Sequence, residues 1–365
     1  MPRNIVTMFL IILFMCFDGL ALAYTSKQDI LPQIAFQTNL PNDDICLINM
    51  DGSEMRCLMQ TPDRWEHNPV WSPDGRYLSY QSIDRAGEAG SQTYIYDFVQ
   101  DRTSELSQAF YIYDWSPDGQ LLLTVRRERM DDDGEIYLLR PDESEGILLT
   151  DNDIEDAAPA WSPDGSQIAY LSGFPDATIR VMAADGTENR VLVDKLFINR
   201  EVRLAWSPDS QTIAFVVNGD MVESDQTSEI YLVNADGEDL RQLTHSGNVT
   251  LNPHWSPDGE QIVFYGYEPG AFASDAPPNN RTDIFIMDAD GSGLTNLTSS
   301  YGLDYHPSWS PDGEWIAFAS TRESPGIFIM RPDGSDVRMV TDEPPYAEGG
   351  REANNPVWRP IAGGG

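Results

Sequence analysis

The chain has 365 residues, of which 59 are acidic and 23 are basic, so its formal net charge is −36. Acidic residues occur along the whole length, and a surface of this sign repels nucleic acid and anionic membranes. Both are therefore excluded as partners, whereas a basic protein or a divalent cation fits the charge better. The length alone is compatible with two or three domains, but internal repeats override that estimate.

The N-terminus has the pattern of an export signal. An apolar run from Ile5 to Phe17 follows Arg3, and Ala21-Leu22-Ala23 has the small-x-small pattern that signal peptidase cuts after. We predict a signal peptide over residues 1–23 and a short lead over residues 24–32. The mature protein is then periplasmic or extracellular.

Two other fates of this N-terminus are less favoured. An uncleaved membrane anchor stays open as an alternative, although Asp18 interrupts an already short apolar stretch. Lipidation of Cys16 is disfavoured because Phe14 and Met15 precede it, where a lipoprotein cleavage site requires a small residue. After cleavage we expect no membrane insertion.

Two cysteines remain after removal of the signal. Cys46 and Cys57 flank the turn Met50-Asp51-Gly52-Ser53, between segments with the pattern of two antiparallel strands. In an oxidising compartment they are candidates for a cross-strand disulfide, and the alternative is a pair of small buried apolar residues. Either role is structural.

One pentapeptide recurs along the chain. Trp-Ser-Pro-Asp-Gly or a close variant begins at seven positions: Trp71, Trp115, Trp161, Trp206, Trp255, Trp309 and, in decayed form, Trp358. Successive tryptophans lie 44, 46, 45, 49, 54 and 49 residues apart, which is the length of a four-stranded propeller blade. Proline, aspartate and glycine are the residues that tight turns require, so the pentapeptide is turn chemistry and not a catalytic motif. We predict that the tryptophans anchor the packing between blades.

The ends of the chain share one blade in this interpretation. The segments Gln33 to Gln37, Asp44 to Asn49 and Glu54 to Met59 supply three strands without a preceding pentapeptide. Asn355-Pro356-Val357-Trp358 supplies the missing first strand and closes the ring. The sequence therefore predicts an all-β, seven-bladed propeller of four-stranded antiparallel blades over residues 33–360, followed by a tail over residues 361–365. We expect it to be a monomer.

These units resemble the WD-like repeats of TolB-family propellers, because Trp-Ser-Pro-Asp-Gly is followed by runs such as Ile-Tyr-Leu-Val-Asn-Ala-Asp-Gly. The resemblance covers Gln33 to Pro360. The same repeat occurs in tricorn-type proteases and in propellers attached to prolyl-oligopeptidase-like hydrolases, so it implies the fold more strongly than the function. The family's namesake has six blades and a separate N-terminal domain, whereas this chain has seven predicted blades and about ten residues between the signal and the first strand.

A candidate site lies where the first strands approach the central axis. The residue three places before each tryptophan is expected at the mouth of the channel, and these residues are Asn68, Ala158, Asn252, His306 and Asn355, with Ile112 and Arg203 in the two units that lack the following proline. Other polar or aromatic residues lie nearby in sequence, namely Asp114, Glu155, Asp156, Trp65, His67, Tyr305 and His254. Such a ring suits a polar or acidic ligand. The alternative is a hydrated channel that binds nothing.

Catalytic motifs are not recognisable. The sequence has no Gly-x-Ser-x-Gly, no His-Glu-x-x-His and no Cys-x-x-Cys, and it contains four histidines. The acidic runs Asp131 to Glu135 and Asp288 to Ser292 lack the ligand spacing of a calcium loop. We therefore expect no catalytic residue, no cofactor and no metal, and predict that the chain is not an enzyme.

The favoured function is an exported scaffold that binds a protein or peptide in the cell envelope. One alternative is a propeller hydrolase or lyase that uses His306, His67 and nearby acidic residues at the channel mouth. Another is a domain that senses a small ligand. The two alternatives require different sites, since a hydrolase or lyase needs an acid and a base that converge and a sensor does not.

Overall fold

The computed structural model describes residues 31–38, 43–59, 61, 63–85, 91–106, 110–126, 133–142, 146–174, 176–198, 203–218, 227–247, 249–267, 281–322, 324–341 and 354–361. The predicted signal peptide and most of the lead lie outside these residues. In the described part of the chain no helix has the length and apolar character needed to cross a membrane.

Twenty-eight strands form seven four-stranded sheets, which confirms the predicted fold. Blade 1 contains β4 (Arg64–Trp71), β5 (Tyr77–Asp84), β6 (Ser91–Asp97) and β7 (Arg102–Glu105). Blade 2 contains β8 (Phe110–Trp115), β9 (Leu122–Arg126), β10 (Glu135–Leu139) and β11 (Ile147–Leu148). Blade 3 contains β12 (Asp156–Trp161), β13 (Gln167–Ser172), β14 (Asp176–Ala183) and β15 (Arg190–Phe197).

The next three blades repeat this order. Blade 4 contains β16 (Ala205–Trp206), β17 (Thr212–Asn218), β18 (Ser228–Asn234) and β19 (Arg241–Gln242). Blade 5 contains β20 (Thr250–Trp255), β21 (Gln261–Tyr267), β22 (Thr282–Asp288) and β23 (Thr295–Asn296). Blade 6 contains β24 (Asp304–Trp309), β25 (Ile316–Ser320), β26 (Gly326–Met330) and β27 (Arg338–Met339).

The seventh blade, here called the closing blade, joins the two ends of the chain. It contains β1 (Gln33–Gln37), β2 (Ile45–Asn49), β3 (Arg56–Cys57) and β28 (Asn354–Trp358). β28 pairs antiparallel with β1, with Ile34 opposite Trp358. The ring is therefore closed by backbone hydrogen bonds between segments more than 300 residues apart, as the sequence predicted.

The hydrophobic core lies between neighbouring blades. Strand side chains such as Ile34, Leu78 and Phe215 are fully buried, and the apolar clusters extend from one sheet to the next. Burial of a side chain of this size contributes about 1.5–3 kcal/mol to folding. This arrangement explains why the strands are apolar on both faces.

Each Ser-Pro-Asp-Gly turn is held by its own side chains. In the turn after Trp71, the Ser72 hydroxyl donates to the Asp74 carboxylate at 2.6 Å, and the Tyr77 amide donates to the Ser72 hydroxyl at 2.8 Å. The five other described turns make the same two bonds. These bonds stabilise the turn that returns each innermost strand to the next one.

The innermost strand of each blade is an edge strand that faces the channel, and five of the seven carry a bulge at their X-Pro dipeptide. The register shifts between His67 and Val70 in blade 1, and equivalent shifts occur in blades 3, 5 and 6 and in the closing blade. Proline has no N–H to give to a strand ladder, so it is tolerated at an edge or a bulge. In these five blades the proline therefore determines where the innermost strand interrupts its hydrogen-bonded pairing with the next strand.

Candidate functional site

The five bulges place five residues in the same unusual backbone conformation. The residue before each proline has a left-handed φ, at 54° for Asn68, 47° for Ala158, 56° for Asn252, 52° for His306 and 54° for Asn355. Side chains other than glycine adopt this region rarely, and asparagine tolerates it best. A bulge re-aims its side chain relative to the strand. These are the same five residues that the sequence assigned to the channel mouth.

The innermost strands enclose a cavity of about 560 Å³. Its polar lining includes Asp114, Arg203, Asn252 and His254, and the remaining lining is mostly proline, alanine and tryptophan from the same strands. A pocket with apolar walls and a few convergent polar groups is the usual form of a binding site. The cavity is therefore the candidate site.

Arg203 reaches across this channel. Its Nη2 donates a hydrogen bond to Oδ1 of Asn68, which belongs to blade 1 on the opposite side of the ring from blade 4. The Asn68 amide is oriented by a second bond, from its Nδ2 to the Ile112 carbonyl oxygen at 3.0 Å. The guanidinium of Arg203 is thereby held near the axis by a neutral amide.

Arg203 has no carboxylate partner among the described residues. Its only hydrogen bond within them is the one to Asn68, and no acidic oxygen lies within ion-pairing distance. Asp114 is near enough to interact electrostatically, but its two oxygens accept the backbone N–H groups of Trp115 and Trp161 at 2.8 and 3.0 Å. Enclosure by protein lowers the pKa of Arg203 although the side chain contacts water in the channel.

The two nearby histidines are neutral at physiological pH. Loss of hydration and the positive charge of Arg203 together lower the pKa of His254 to about 4. Burial, Arg203 and His254 lower the pKa of His306 to about 4, partly offset by Asn354. His306 packs edge-on against Tyr265 and Tyr305, and its Nδ1 has no hydrogen-bond partner among the described residues.

The remaining channel-mouth predictions have mixed outcomes. Ile112 does not line the cavity, because its side chain is buried between blades 1 and 2, although β8 also shifts register between Ile112 and Asp114. The following predicted residues are not among those that line the cavity: Trp65, His67, Asn68, Glu155, Asp156, Tyr305, His306 and Asn355. Asp156 is fully buried and accepts a hydrogen bond from the Asn152 side chain at 2.9 Å.

A buried pair of carboxyl groups lies at the seam between the closing blade and blade 1. Asp44 precedes β2 and Glu66 is in β4, and their exposed fractions are 2% and 0%. Asp44 Oδ1 and Glu66 Oε2 have no hydrogen-bond partner among the described residues. Burial and the charge of Glu66 raise the pKa of Asp44 to about 7. Sequence reasoning missed this pair because the two residues meet only where the N-terminal strands of the closing blade pack on β4 of blade 1.

The tryptophans of the repeat lie between blades and are mostly tied to the preceding one. The indole N–H of Trp206 donates to the Ala160 carbonyl at 3.1 Å, and the indoles of Trp71, Trp255 and Trp358 make equivalent bonds. In the described part of the chain the indole N–H groups of Trp161 and Trp309 have no acceptor. Cys46 and Cys57 are directly opposite in β2 and β3, and their sulfur atoms are bonded.

Comparison with known proteins finds relatives by sequence that include an uncharacterised protein and a TolB homolog. No protein-family model matches the chain. An uncharacterised protein of Agrobacterium fabrum is 29% identical over 286 residues, which cover 74% of this chain and 90% of that protein. A TolB homolog of Chlorobium luteolum is 31% identical over 135 residues, which cover 28% of this chain and 31% of the homolog. The chain thus spans only about a third of this curated TolB homolog.

Solved structures share the architecture at low sequence identity. TolB from Acinetobacter baumannii superposes with a TM-score of 0.55 at 19% identity, over 91% of this chain and 67% of that one. An oligogalacturonate lyase in complex with manganese superposes with a TM-score of 0.60 at 16% identity, over 86% and 85% of the two chains. In the described part of the present chain, no three His, Cys, Asp or Glu side chains are grouped to hold a metal ion.

The prediction that the chain is not an enzyme is wrong. It was inferred from the absence of familiar catalytic motifs. Propellers of this architecture occur in enzymes, since the structural neighbours include the lyase and a prolyl endopeptidase that superposes over 85% of this chain. An uncharacterised peptidase of Bacillus subtilis is also 24% identical over 193 residues, 44% of this chain and 29% of that protein. A propeller needs no familiar motif to contribute to catalysis. The chain is a seven-bladed β-propeller that is similar in part of its sequence and in its architecture to proteins named as TolB.

Proposed function

We propose that the protein is exported by a signal peptide over residues 1–23 and acts in the cell envelope by binding a protein or peptide at the mouth of its axial channel. The observation that carries the proposal is the convergence of Asp114, Arg203 and Asn252 on one cavity with mostly apolar walls, beside which Arg203 donates to Asn68. Left-handed residues recur at this position in five blades, as they also do in the Asp-Gly turns, and backbone strain of this kind is found at functional sites. Relatives named as TolB support the same setting.

Site-specific photo-cross-linking in envelope extract tests the binding site. A photoreactive residue at position 252 faces the cavity, and one at Thr295 of β23 lies exposed in the same blade but on its outer strand. We expect a discrete adduct from position 252 that is absent from position 295. Unlabelled wild-type protein should compete for the adduct, and the Arg203→Ala, Asn252→Ala, His306→Ala triple variant should not. Equal labelling from both positions contradicts the proposal.

Export is tested separately by cell fractionation and N-terminal sequencing. We expect the mature protein to begin at Tyr24, because Ala21-Leu22-Ala23 is the predicted recognition sequence. Retention of residues 1–23 in a membrane fraction would instead identify an uncleaved anchor. Neither result depends on the ligand, so export and binding are tested independently.

Acid–base chemistry on an anionic substrate is a second candidate, favoured by one specific observation. His254 and His306 are neutral imidazoles whose pKa is held down beside the Arg203 guanidinium. A neutral imidazole can accept a proton while an adjacent guanidinium stabilises developing negative charge. Incubation with oligogalacturonate, the substrate class in the lyase's name, tests this by the ultraviolet absorbance of an unsaturated product. A signal that the His306→Ala variant lacks supports catalysis.

A further inference from the structure

The axial cavity contains the guanidinium of Arg203, which has no carboxylate oxygen within ion-pairing distance among the described residues, although Asp114 lies in the same cavity and offsets part of its charge. Arg203 donates to an uncharged amide, Asp114 is committed to two backbone N–H groups, and both histidines are neutral. This occurs in a chain whose net charge is −36, and in which the partly buried Arg322 and Arg281 are paired with Asp304 and Asp283 at 2.8 and 2.9 Å. The Arg203 side chain is open to the channel, and apart from the bond to Asn68 its N–H groups have no acceptor among the described residues. Those N–H groups are therefore available to an anion that enters the channel.

The surroundings fit a carboxylate. Asn252 and His254 supply further hydrogen-bonding groups in the same cavity, and a guanidinium presents five N–H donors in a fork that matches two carboxylate oxygens. Proline and tryptophan walls reduce the local dielectric constant, which strengthens a charge-assisted hydrogen bond. The volume of about 560 Å³ admits a few residues of extended chain.

We infer that the axial cavity binds an acidic peptide segment, with a side-chain carboxylate of the peptide paired to Arg203. This inference rests on the proposed function and specifies its ligand. It also reverses the expectation from net charge, which favoured a basic partner. Net charge describes the outer surface, whereas the ligand in the channel meets the local charge of Arg203.

Calorimetric titration with two matched peptides tests the inference. The probes are acetyl-Glu-Glu-Glu-amide and its neutral counterpart acetyl-Gln-Gln-Gln-amide, titrated into the mature protein. We expect the glutamate peptide to bind at least tenfold more tightly than the glutamine peptide. The Arg203→Gln variant should lose that preference. The control Arg241→Gln, which removes an exposed arginine paired with Asp239 in blade 4, should keep it.

The outcomes separate this inference from the proposed function. Equal affinity for both peptides, or an unchanged preference in Arg203→Gln, overturns the inference even if position 252 still cross-links to a partner. Binding of trigalacturonate without binding of the glutamate peptide overturns the assignment to a peptide. Thermal unfolding of each variant establishes that it is folded. Arg203→Gln is expected to fold, because Arg203 has no ion pair to lose within the described residues.

Discussion

The innermost strands of the seven blades fall into two groups. Five contain an X-Pro bulge with a left-handed residue, and they place amide, imidazole or methyl groups at the repeated position. The strands of blades 2 and 4 lack the proline, and they supply the two charged side chains of the cavity, Asp114 and Arg203. The five blades with the X-Pro bulge build the regular ring, and the two blades that depart from the repeat supply the charged side chains of the cavity.

Removal of the closing strand should have the largest effect. Deleting residues 354–365 exposes the edge of β1 and leaves Ile34 and Phe36 without their packing partners in β28. We expect the melting temperature to fall by about 10 °C or more, since several kcal/mol of burial and a strand ladder are lost. Deleting residues 362–365 is the control and should change nothing. An unchanged melting temperature in the longer deletion would disprove ring closure by β28.

The repeated tryptophans should matter next. Trp161 is 7% exposed, so Trp161→Ala should cost about 3–5 kcal/mol in the free energy of unfolding, measured with urea. Replacement by phenylalanine separates packing from hydrogen bonding. Trp206→Phe loses the bond to the Ala160 carbonyl, whereas the Trp161 indole has no acceptor within the described residues. Trp206→Phe should therefore cost about 1 kcal/mol more than Trp161→Phe. Equal costs would show that the indole bonds are not stabilising.

The seam beside the closing blade should respond to pH. The pKa of Asp44 is raised to about 7 in the folded protein, whereas an unfolded aspartate titrates near pH 4. The folded state holds this proton more tightly, so its contribution to stability is complete below about pH 4 and is lost as the pH rises to about 7. Asp44→Asn should thus be stabilised relative to wild type at pH 8, by about 1–2 kcal/mol after allowance for solvent screening, and not at pH 4. Urea unfolding at both pH values measures this, and a pH-independent difference contradicts it.

The sequence predicted most of the fold because its information is local and repeated. Tryptophan spacing, turn residues and short apolar runs each indicate one blade, and ring closure follows once Trp358 is recognised as the seventh copy. The same reasoning placed Asn252 and Arg203 at the channel, since equivalent positions in a repeat occupy equivalent places. Ile112 differs from them because its apolar side chain is buried between blades 1 and 2 and does not line the cavity.

Side-chain contacts between different blades could not be predicted from the sequence. The contact of Arg203 with Asn68 joins blades that lie opposite each other, and Asp44 meets Glu66 only where the closing blade packs on blade 1. Neither contact leaves a local pattern. The motif search also could not identify the function, because the absence of a familiar motif was taken as evidence that the chain has no catalytic activity. Propeller enzymes with the same architecture show why that step fails.

The most direct test of the central claim compares two arginines by their effect on stability. Arg322 pairs with the fully buried Asp304, so Arg322→Met leaves an uncompensated charge and should cost about 3 kcal/mol. Arg203→Met removes a charge that lacks a described partner and keeps the apolar stem, so the free energy of unfolding should stay level or rise by about 0.5–1 kcal/mol. Urea unfolding of both variants gives the answer. A loss of more than 1 kcal/mol in Arg203→Met would show that Arg203 is a structural residue and would contradict its role as an unpaired cation that awaits a ligand.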